Sequence, residues 1–326
     1  MNAVSRGIGS LVVRGMTGSV SAPGLAVDPQ RFGIELNDSV CAARARGILT
    51  SFFSGFEYGL NRHREVTEAA RQTPALLLPF FHEGLAMACL PNGYLRWVSA
   101  KTTLERFELE HGESDPFVLL RYVGLGFWLG FQHARSPGKV EAFVSRLHAR
   151  KFGALILDGY GFKTGFFGYR RLSRGDFSSL DVLRSFSGFG FASAMNGLGR
   201  SLWFFTMDRP QEGFALARKL GKDRLHVLGG MGLASAFTFP DQLSMAYAAL
   251  ALLTQVERPH FLKGIRIALY VRQHCDPELL QKQIEDLAID LRTRASKDLE
   301  RALQVGAQTR HKEGFIEAFH AGCLDA

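Results

Sequence analysis

The chain has 326 residues, of which 46% are hydrophobic and 21% are charged. This composition is typical of a soluble globular protein, and the length allows one large domain or two of average size. The net charge of +8 comes from dispersed basic residues, and no nucleic-acid-binding motif accompanies them. We therefore expect no nucleic-acid partner.

The cysteines and the longest apolar runs indicate a cytoplasmic protein. Cys41, Cys89, Cys275 and Cys323 lie far apart without a C-x-x-C pair, which gives no zinc or redox signature. The first 20 residues lack the continuous apolar segment of a signal peptide. The longest apolar runs, such as residues 245–253, are too short to span a bilayer.

The first third of the chain predicts an irregular arm followed by helices. Residues 1–33 are rich in glycine, serine and other small residues. Asn37 and Asp38 can cap a helix over about residues 39–60, where apolar side chains return at helical spacing. The next helix is predicted to begin at Pro74 and to end at Pro91-Asn92-Gly93.

The rest of the chain predicts further helices separated by Pro- and Gly-containing breaks. Asp276-Pro277 is expected to open one long charged helix that continues to about residue 305. No Asn-Gly hairpin signal lies between alternating strands, so we predict an all-α protein.

Six glycines at similar positions indicate a repeated unit. Gly84, Gly124, Gly159, Gly197, Gly230 and Gly264 are separated by 40, 35, 38, 33 and 34 residues. Such periods are typical of stacked two-helix repeats, and glycine inside a helix is tolerated where backbones approach closely. The alternative is a chance alignment, since the chain contains 35 glycines.

The sequence therefore predicts stacked helix-pair repeats, either an α-solenoid or a closed α/α array. The predicted organisation is an irregular N-terminal arm over residues 1–33 and a single helical-repeat domain over residues 34–326. The final helices of that domain occupy residues 276–326.

Several strings resemble a known family. They lie at residues 158–162 (Asp-Gly-Tyr-Gly-Phe), 197–204 (Gly-Leu-Gly-Arg-Ser-Leu-Trp-Phe), 83–87, 232–237 and 259–272. In these strings the chain resembles the UnbL-type proteins of unknown function that are encoded beside enediyne polyketide synthases. The resemblance covers about residues 30–275, of which about 34–275 belong to the predicted repeat domain.

The resemblance implies a part in making or handling a highly unsaturated polyketide chain, together with a membrane protein and an UnbV-type partner. The family has no assigned reaction, so it supplies no catalytic residues and no cofactor. The chain also departs from the family pattern. Lys163 stands where the family often has His, and residues 194–196 (Ala-Met-Asn) replace a Phe-Asp-Gln string.

Glu83 and Asp158 each precede a marker glycine, so inner helices could bring the two carboxylates together. Such a pair suits general acid–base chemistry or a cation. Lys163 and Arg200 are candidate counter-charges, and the Arg200 guanidinium could hold a carboxylate or phosphate. The alternative for these four candidate catalytic residues is a set of structural ion pairs or caps.

Most of the aromatic side chains are phenylalanines, 27 in all, which form either a core or the wall of an apolar cavity. The candidates for contact with a substrate are Tyr122, Trp128, Tyr160, Phe162, Asn196 and Trp203. Packing in the core is the alternative for the aromatic residues.

Three familiar site types are not supported by the sequence. The glycines at 159, 161 and 165 do not match a dinucleotide loop, because the third comes one residue late and similar strings recur. Trp203 stands where a nucleophile elbow requires glycine. The histidines lack metal-ligand spacing, so no metal site is predicted, and the sequence specifies no cofactor.

We expect a cytoplasmic accessory protein or enzyme that holds a long unsaturated polyketide or another hydrophobic chain in an apolar cavity. Whether the protein is an enzyme stays open. A helical-repeat scaffold that binds partner biosynthetic proteins is the alternative. An enzyme acting on an isoprenoid or fatty chain is a third possibility, although no aspartate-rich diphosphate motif supports it.

Overall fold

A computed structural model describes residues 27–61 and 63–324, and all regular elements within these ranges are helical. The α-helices, numbered along the chain, are α1 (Ser39–Asn61), α2 (Val66–Gln72), α3 (Leu78–Met87), α4 (Cys89–Leu95), α5 (Ala100–Glu110), α6 (Val118–Gln132), α7 (Pro137–Val144), α8 (Gly153–Ser173), α9 (Asp181–Arg184), α10 (Gly188–Thr206), α11 (Pro210–Arg218), α12 (Arg224–Thr238), α13 (Leu243–Ala249), α14 (Arg258–Cys275), α15 (Pro277–Glu285), α16 (Ile289–Thr309) and α17 (Phe315–Leu324). The prediction of an all-α fold is confirmed.

Seven of these helices form an inner layer. In the order α1, α3, α6, α8, α10, α12 and α14, each inner helix packs against the next. Shorter helices such as α7, α11 and α13 follow the inner ones along the chain and lie beside them. This pairing of a long helix with a short one is the repeated unit that the glycine spacing predicts.

The marker glycines bring the backbones of neighbouring inner helices into direct contact. A Cβ added at any of the six would lie only 1.8–2.1 Å from a backbone carbonyl oxygen of the adjacent helix. Real Cβ atoms essentially never approach another heavy atom closer than 3.0 Å. From the second marker glycine onward, this oxygen belongs to the residue directly before the marker glycine of the previous inner helix. Gly124, for example, faces the carbonyl oxygen of Glu83, which precedes Gly84. The glycines therefore fix the register between helices, and the loss of helix propensity at each glycine is offset by this close packing.

A second set of glycines, two residues after a marker, makes the reciprocal contact. Gly126, Gly161, Gly199 and Gly232 each face a carbonyl group of the following inner helix, three residues before its marker glycine. The Gly-x-Gly pattern thus serves both neighbours of one helix. The first and last units lack it because Ala86 and Arg266 occupy the corresponding positions.

The last inner helices, α12 and α14, contact the first part of the inner layer at α1 and α3. Arg272 on α14 donates to the carbonyl oxygens of Phe237 and Leu76, with Nε–O and Nη1–O distances of 3.1 Å each. Arg44 on α1 donates to the Thr238 carbonyl oxygen at 2.8 Å. The rings of Phe80 and Phe237 lie 5.3 Å apart. These contacts close the inner helices into a ring.

The C-terminal helices cover one end of this ring. Helices α16 and α17 pack against α14 and against each other. On α17, Phe319 contacts Tyr270, and Phe315 contacts Phe152 at the start of α8. At the N-terminal side, the Val27 amide donates to Thr50 at 2.9 Å, and the Phe32 ring stacks on Phe53. Most of the arm predicted over residues 1–33, namely residues 1–26, lies outside the described residues.

Helix α1 begins where the sequence predicts, because Asp38 Oδ1 accepts a hydrogen bond from the Cys41 amide at 2.8 Å. The prediction that Pro91-Asn92-Gly93 ends a helix is wrong. Pro91 instead lies in the first turn of α4, where a missing N–H is tolerated, and the helix continues to Leu95.

The prediction of one long helix after Pro277 is also wrong, because the chain turns between α15 and α16. Helix α15 buries Leu280 and Ile284. Helix α16 buries Ala295, Leu299 and Ala302. A straight helix of this length would extend roughly 40 Å and could not keep both apolar stripes on one body.

Within the described ranges, no helix has both the length and the apolar character that a membrane span requires.

Candidate functional site

The residues that precede the marker glycines form one layer inside the ring. Because the glycines hold neighbouring helices in register, these residues follow one another from helix to helix. The layer contains Glu83, Val123, Asp158, Asn196, Gly229 and Lys263. Two predicted candidates, Glu83 and Asp158, therefore lie at the same level, on α3 and α8.

Arg200 joins the two carboxylates. It follows Asn196 by one helical turn on α10, and its Nη1 lies 2.5 Å from Asp158 Oδ1. Its Nη2 lies 3.5 Å from Glu83 Oε1. Asn196 Nδ2 donates to Asp158 Oδ2 at 2.8 Å. All four side chains are more than nine-tenths buried, so the structure brings together a charged cluster that is closed to solvent.

Burial dominates the electrostatics of this cluster. It raises the pKa of Glu83 to about 7, although the nearby Arg200 charge acts in the opposite direction. Burial also opposes the charge of Arg200, but Asp158 and Glu83 outweigh it and raise the pKa of the guanidinium. Glu83 is consequently the member of the cluster that can gain or lose a proton near neutral pH.

Two apolar cavities meet at this cluster, and Arg200 and Phe237 line both. The first has a volume of about 40 Å³ and is lined mainly by aliphatic side chains and phenylalanines of α1, α3, α6, α8, α10 and α12, with Glu83 at its edge. The second, of about 50 Å³, lies toward α17 and includes Asp158, Ser193, Asn196 and His320. Each has room for only a few water molecules, because aromatic and aliphatic side chains fill most of the space inside the ring of helices.

Lys163 does not belong to the cluster. Its Nζ lies 4.6 Å from the centroid of the Phe131 ring, and its side chain lines a separate, more open cavity with Arg135 and Arg171. Lys163 follows Asp158 by five residues and therefore projects from a different side of α8. The expectation that it serves as a counter-charge to the two acids is wrong.

Of the predicted aromatic contacts, only Phe162 lines an axial cavity. It follows Asp158 by four residues and shares its helix face, and its ring centroid is 5.0 Å from Arg200 Cζ. Tyr160 is two residues from Asp158 and points away, donating its hydroxyl to the carbonyl oxygens of His133 and Ala134.

The other three aromatic candidates also lie outside the axial cavities. Tyr122 packs against Phe107 and Phe152. Trp128 stacks beside Phe56 and donates to Gln132 at 3.2 Å. Trp203 is buried against Phe261. None of these three side chains lines an axial cavity, and their contact with a substrate stays a prediction.

Lys263, which was not among the predicted site residues, also lies in this layer. Its side chain is 7% exposed, and it makes no hydrogen bond or ion pair with the described residues. A Cβ added at Gly229 would lie 3.2 Å from the Lys263 Nζ and 3.3 Å from the unpaired Oδ1 of Asn196. Burial lowers the pKa of Lys263 to about 8. Its position directly before a marker glycine, shared with Glu83 and Asp158, was the signal that could have identified it.

Three histidines surround this amine. Burial lowers the pKa values of His226, His260 and His320, and the Lys263 charge lowers them further. These imidazoles are therefore neutral at physiological pH. Within residues 27–61 and 63–324, no group of three or more His, Cys, Asp or Glu side chains is placed to hold a metal ion.

The fold and site define an all-α protein in which glycine-packed helices close around a buried carboxylate–guanidinium cluster. The sequence matches the DUF1702 family, described as proteins of unknown function, over residues 22–315. The chain belongs to that family. No curated protein and no solved structure matches it.

Proposed function

We propose that this protein binds an elongated apolar molecule along the axis of the helix ring and holds a polar group of that molecule at the charged cluster. The observation that supports this most directly is the position of Arg200. Its buried guanidinium lies between two apolar cavities and lines both. An apolar cavity with a few convergent polar groups is the usual form of a small-molecule site.

Stability alone is a weak reason for such a cluster. Taking charges out of water costs several kcal/mol per ion, and well-packed hydrophobic residues in place of a buried ion pair are often as stable or more so. Here three charged side chains are buried together in a ring interior lined mainly by aliphatic and aromatic side chains. The arrangement is better explained by a ligand that uses the charges.

The looser of the two ion pairs is the one that a ligand could replace. Arg200 is held closely by Asp158, whereas its Nη2 lies 3.5 Å from Glu83. When Glu83 takes up a proton, it becomes neutral and the guanidinium can donate to another oxyanion. A carboxylate or enolate oxygen on the ligand fits this place, with Glu83 as the proton donor or acceptor beside it.

The cavity walls favour a flat, unsaturated chain. Phe52, Phe127, Phe162 and Phe204 line the first cavity and offer ring faces and edges to conjugated double bonds. Because the two cavities are small, a long chain enters only if some of these rings change rotamer. Binding is therefore coupled to movement of the aromatic core.

The resemblance to enediyne-cluster proteins supports a polyketide as this chain, in a cytoplasmic biosynthetic role. In that setting the protein either presents the chain to other enzymes or uses Glu83 as an acid–base group. The membrane protein and the UnbV-type protein implied by the resemblance are its proposed partners.

A conjugated tetraene fatty acid, whose fluorescence rises in apolar surroundings, tests the binding step. We expect saturable binding to the full chain. Ala234 lines the first cavity and is buried, so Ala234→Leu should weaken binding about tenfold. The exposed Ala142→Leu on α7 is the matched control and should bind as the wild type does. Absence of saturable binding, or equal affinity of both variants, would contradict the proposal.

The polyketide identity needs a separate experiment in the source organism. Deleting the gene and extracting the culture should reveal an accumulated unsaturated intermediate. Chromosomal Ala234→Leu should reproduce that accumulation in part, and Ala142→Leu should not. An unchanged set of metabolites after the deletion would contradict a biosynthetic role.

Binding of partner proteins is the second candidate function, and two exposed apolar side chains favour it. Trp97, between α4 and α5, has 97% of its side chain exposed and a positive φ of 59°. Leu109 on α5 is also exposed. If Trp97 contacts a partner, Trp97→Ser should abolish co-purification of that partner while leaving tetraene binding unchanged. Retention of every partner by Trp97→Ser would argue against a scaffold role for Trp97.

A further inference from the structure

A large cavity lies in the outer part of the fold, between α2 and α5. Its volume is about 680 Å³, which falls within the range of roughly 300–1,000 Å³ that is typical of small-molecule sites. Helices α3 and α4 form its floor. We call it the α2–α5 cavity. It shares no lining residue with either axial cavity.

A buried arginine with unused hydrogen-bond donors forms part of its wall. Arg121 on α6 is 6% exposed. Its Nε lies 2.5 Å from Asp115 Oδ2, and its Nη2 lies 3.0 Å from His82 Nδ1. Its Nη1 is buried and has no hydrogen-bond partner. An unpaired buried donor on a charged group is costly, so Arg121 would be stabilised by an anionic ligand that receives a hydrogen bond from its guanidinium.

The surroundings of Arg121 do not fully compensate its charge. Burial lowers the pKa of Arg121 despite the opposing effect of Asp115. Burial, followed by the Arg121 charge, also lowers the pKa of His82 to about 3, so this imidazole is neutral. Since His82 Nδ1 accepts from Arg121, the imidazole proton is on Nε2, where it is a second donor at the cavity wall.

The remaining charged residues of the wall are mostly basic. Arg71, Arg96 and Arg106 line the cavity, and Glu110 is the one carboxylate among the lining residues. Arg71 has a distant partner in Glu68, at 3.8 Å. The balance of charge at the cavity wall therefore favours an anion.

Apolar side chains form the rest of the lining. Val66, Leu78, Leu85, Val98 and Phe107 all contribute to the cavity. A ligand of this cavity thus meets both basic and apolar side chains. A small inorganic anion would leave the apolar region uncovered.

From these contacts we propose that the α2–α5 cavity binds an organic oxyanion, in which a phosphate or carboxylate head contacts Arg121 and Arg106 and a short apolar group lies against Leu85 and Phe107. This site is separate from the axial site proposed above and does not depend on it.

Octyl phosphate, octanoate and octanol are suitable probes for titration calorimetry on the full chain. We expect at least one of the two anions to bind with a stoichiometry of one, and octanol to bind at least tenfold more weakly. The stronger of the two anions identifies the head group as phosphate or carboxylate. If neither anion binds, or if octanol binds as tightly as the anions, the proposal is wrong.

Substitutions of the two arginines test whether the anion binds in the α2–α5 cavity. Arg121→Met and Arg106→Gln should each weaken anion binding about tenfold or more, as expected for a charge-assisted hydrogen bond. Arg106 is exposed, so its variant keeps the test valid if Arg121→Met fails to fold. Arg146→Gln, which removes an exposed arginine elsewhere, is the charge-matched control.

Ala234→Leu separates this proposal from the axial one, because it should leave octyl-anion binding unchanged. Unchanged affinity in Arg106→Gln, or equal losses in Arg106→Gln and Arg146→Gln, would overturn the assignment to the α2–α5 cavity. Loss of binding in Ala234→Leu would place the anion in the axial cavities instead and would also overturn it.

Discussion

Replacing Gly126 by Ala tests whether the helix backbones of the ring pack as closely as the structure shows. Gly126 lies on α6 and faces the backbone of α8. An added Cβ would stand 2.7 Å from the carbonyl carbon of Ile156 and 2.8 Å from its Cα, and closer still to its carbonyl oxygen. These are backbone atoms, which cannot move aside as a flexible side chain can.

The magnitude follows from how far the helices must separate. Ordinary van der Waals contact at a Cβ begins near 3.4 Å, so α6 and α8 must move apart by roughly 1 Å or more. Overpacking of this kind typically costs 1–3 kcal/mol, and the rigid backbone contact places Gly126→Ala at about 3 kcal/mol or above. The gain in helix propensity, up to about 1 kcal/mol, is too small to offset this cost.

Urea unfolding, monitored by far-ultraviolet circular dichroism, measures this loss of stability. It should lower the urea concentration at the midpoint without changing the slope of the unfolding free energy against urea concentration. Gly138→Ala on α7 is the control, because nothing lies within 4 Å of the added Cβ. It should be neutral or stabilising by up to about 1 kcal/mol. Equal midpoints for the two variants would refute the reasoning that glycine allows these backbones to nest.

The remaining predictions concern the buried ionisable groups. Burial raises the pKa of Glu83 from 4.5 to about 7, so the folded state holds this proton more tightly and its contribution to stability is lost as the pH rises from 4.5 to 7. Glu83→Gln should therefore reduce the fall in unfolding free energy across that interval, whereas the exposed Glu300→Gln should not; parallel profiles would contradict the raised pKa. Burial lowers the pKa of Lys263, so Lys263→Met should raise the free energy of unfolding at pH 7 by about 1–3 kcal/mol. The exposed Lys297→Met is the control, and destabilisation by Lys263→Met would show that the amine has a stabilising partner.

The sequence predicted the helical class, the repeated unit and the glycine-mediated contacts because all three depend on short-range patterns. A glycine that recurs at similar intervals within apolar helical segments marks the same packing position in each unit. The register of Glu83 and Asp158 followed from this, since each directly precedes a marker glycine. The pairing of Arg200 with them was one of the alternatives that the sequence left open.

Helix boundaries and side-chain directions were less predictable. Pro91 is compatible with a helix end or with a first turn, and only the packing of α4 selects the first turn. Lys163 and Tyr160 are close to Asp158 in sequence, but the rotation of α8 directs them away from the axis. Lys263 shares the register of the acids, yet its lack of an ionic partner depends on what the neighbouring helices place around it.

The sequence by itself determined an all-α chain whose glycines set the spacing of its inner helices, because those properties arise from residues within one or two helical turns. Only the tertiary structure decided the closure of the ring, where Arg272 meets the Leu76 carbonyl 196 residues away. It also decided the composition of the α2–α5 cavity, since residues from Gly59 to Arg121 converge there. Such neighbours depend on the accumulated rotation of many packed helices, which no local pattern encodes.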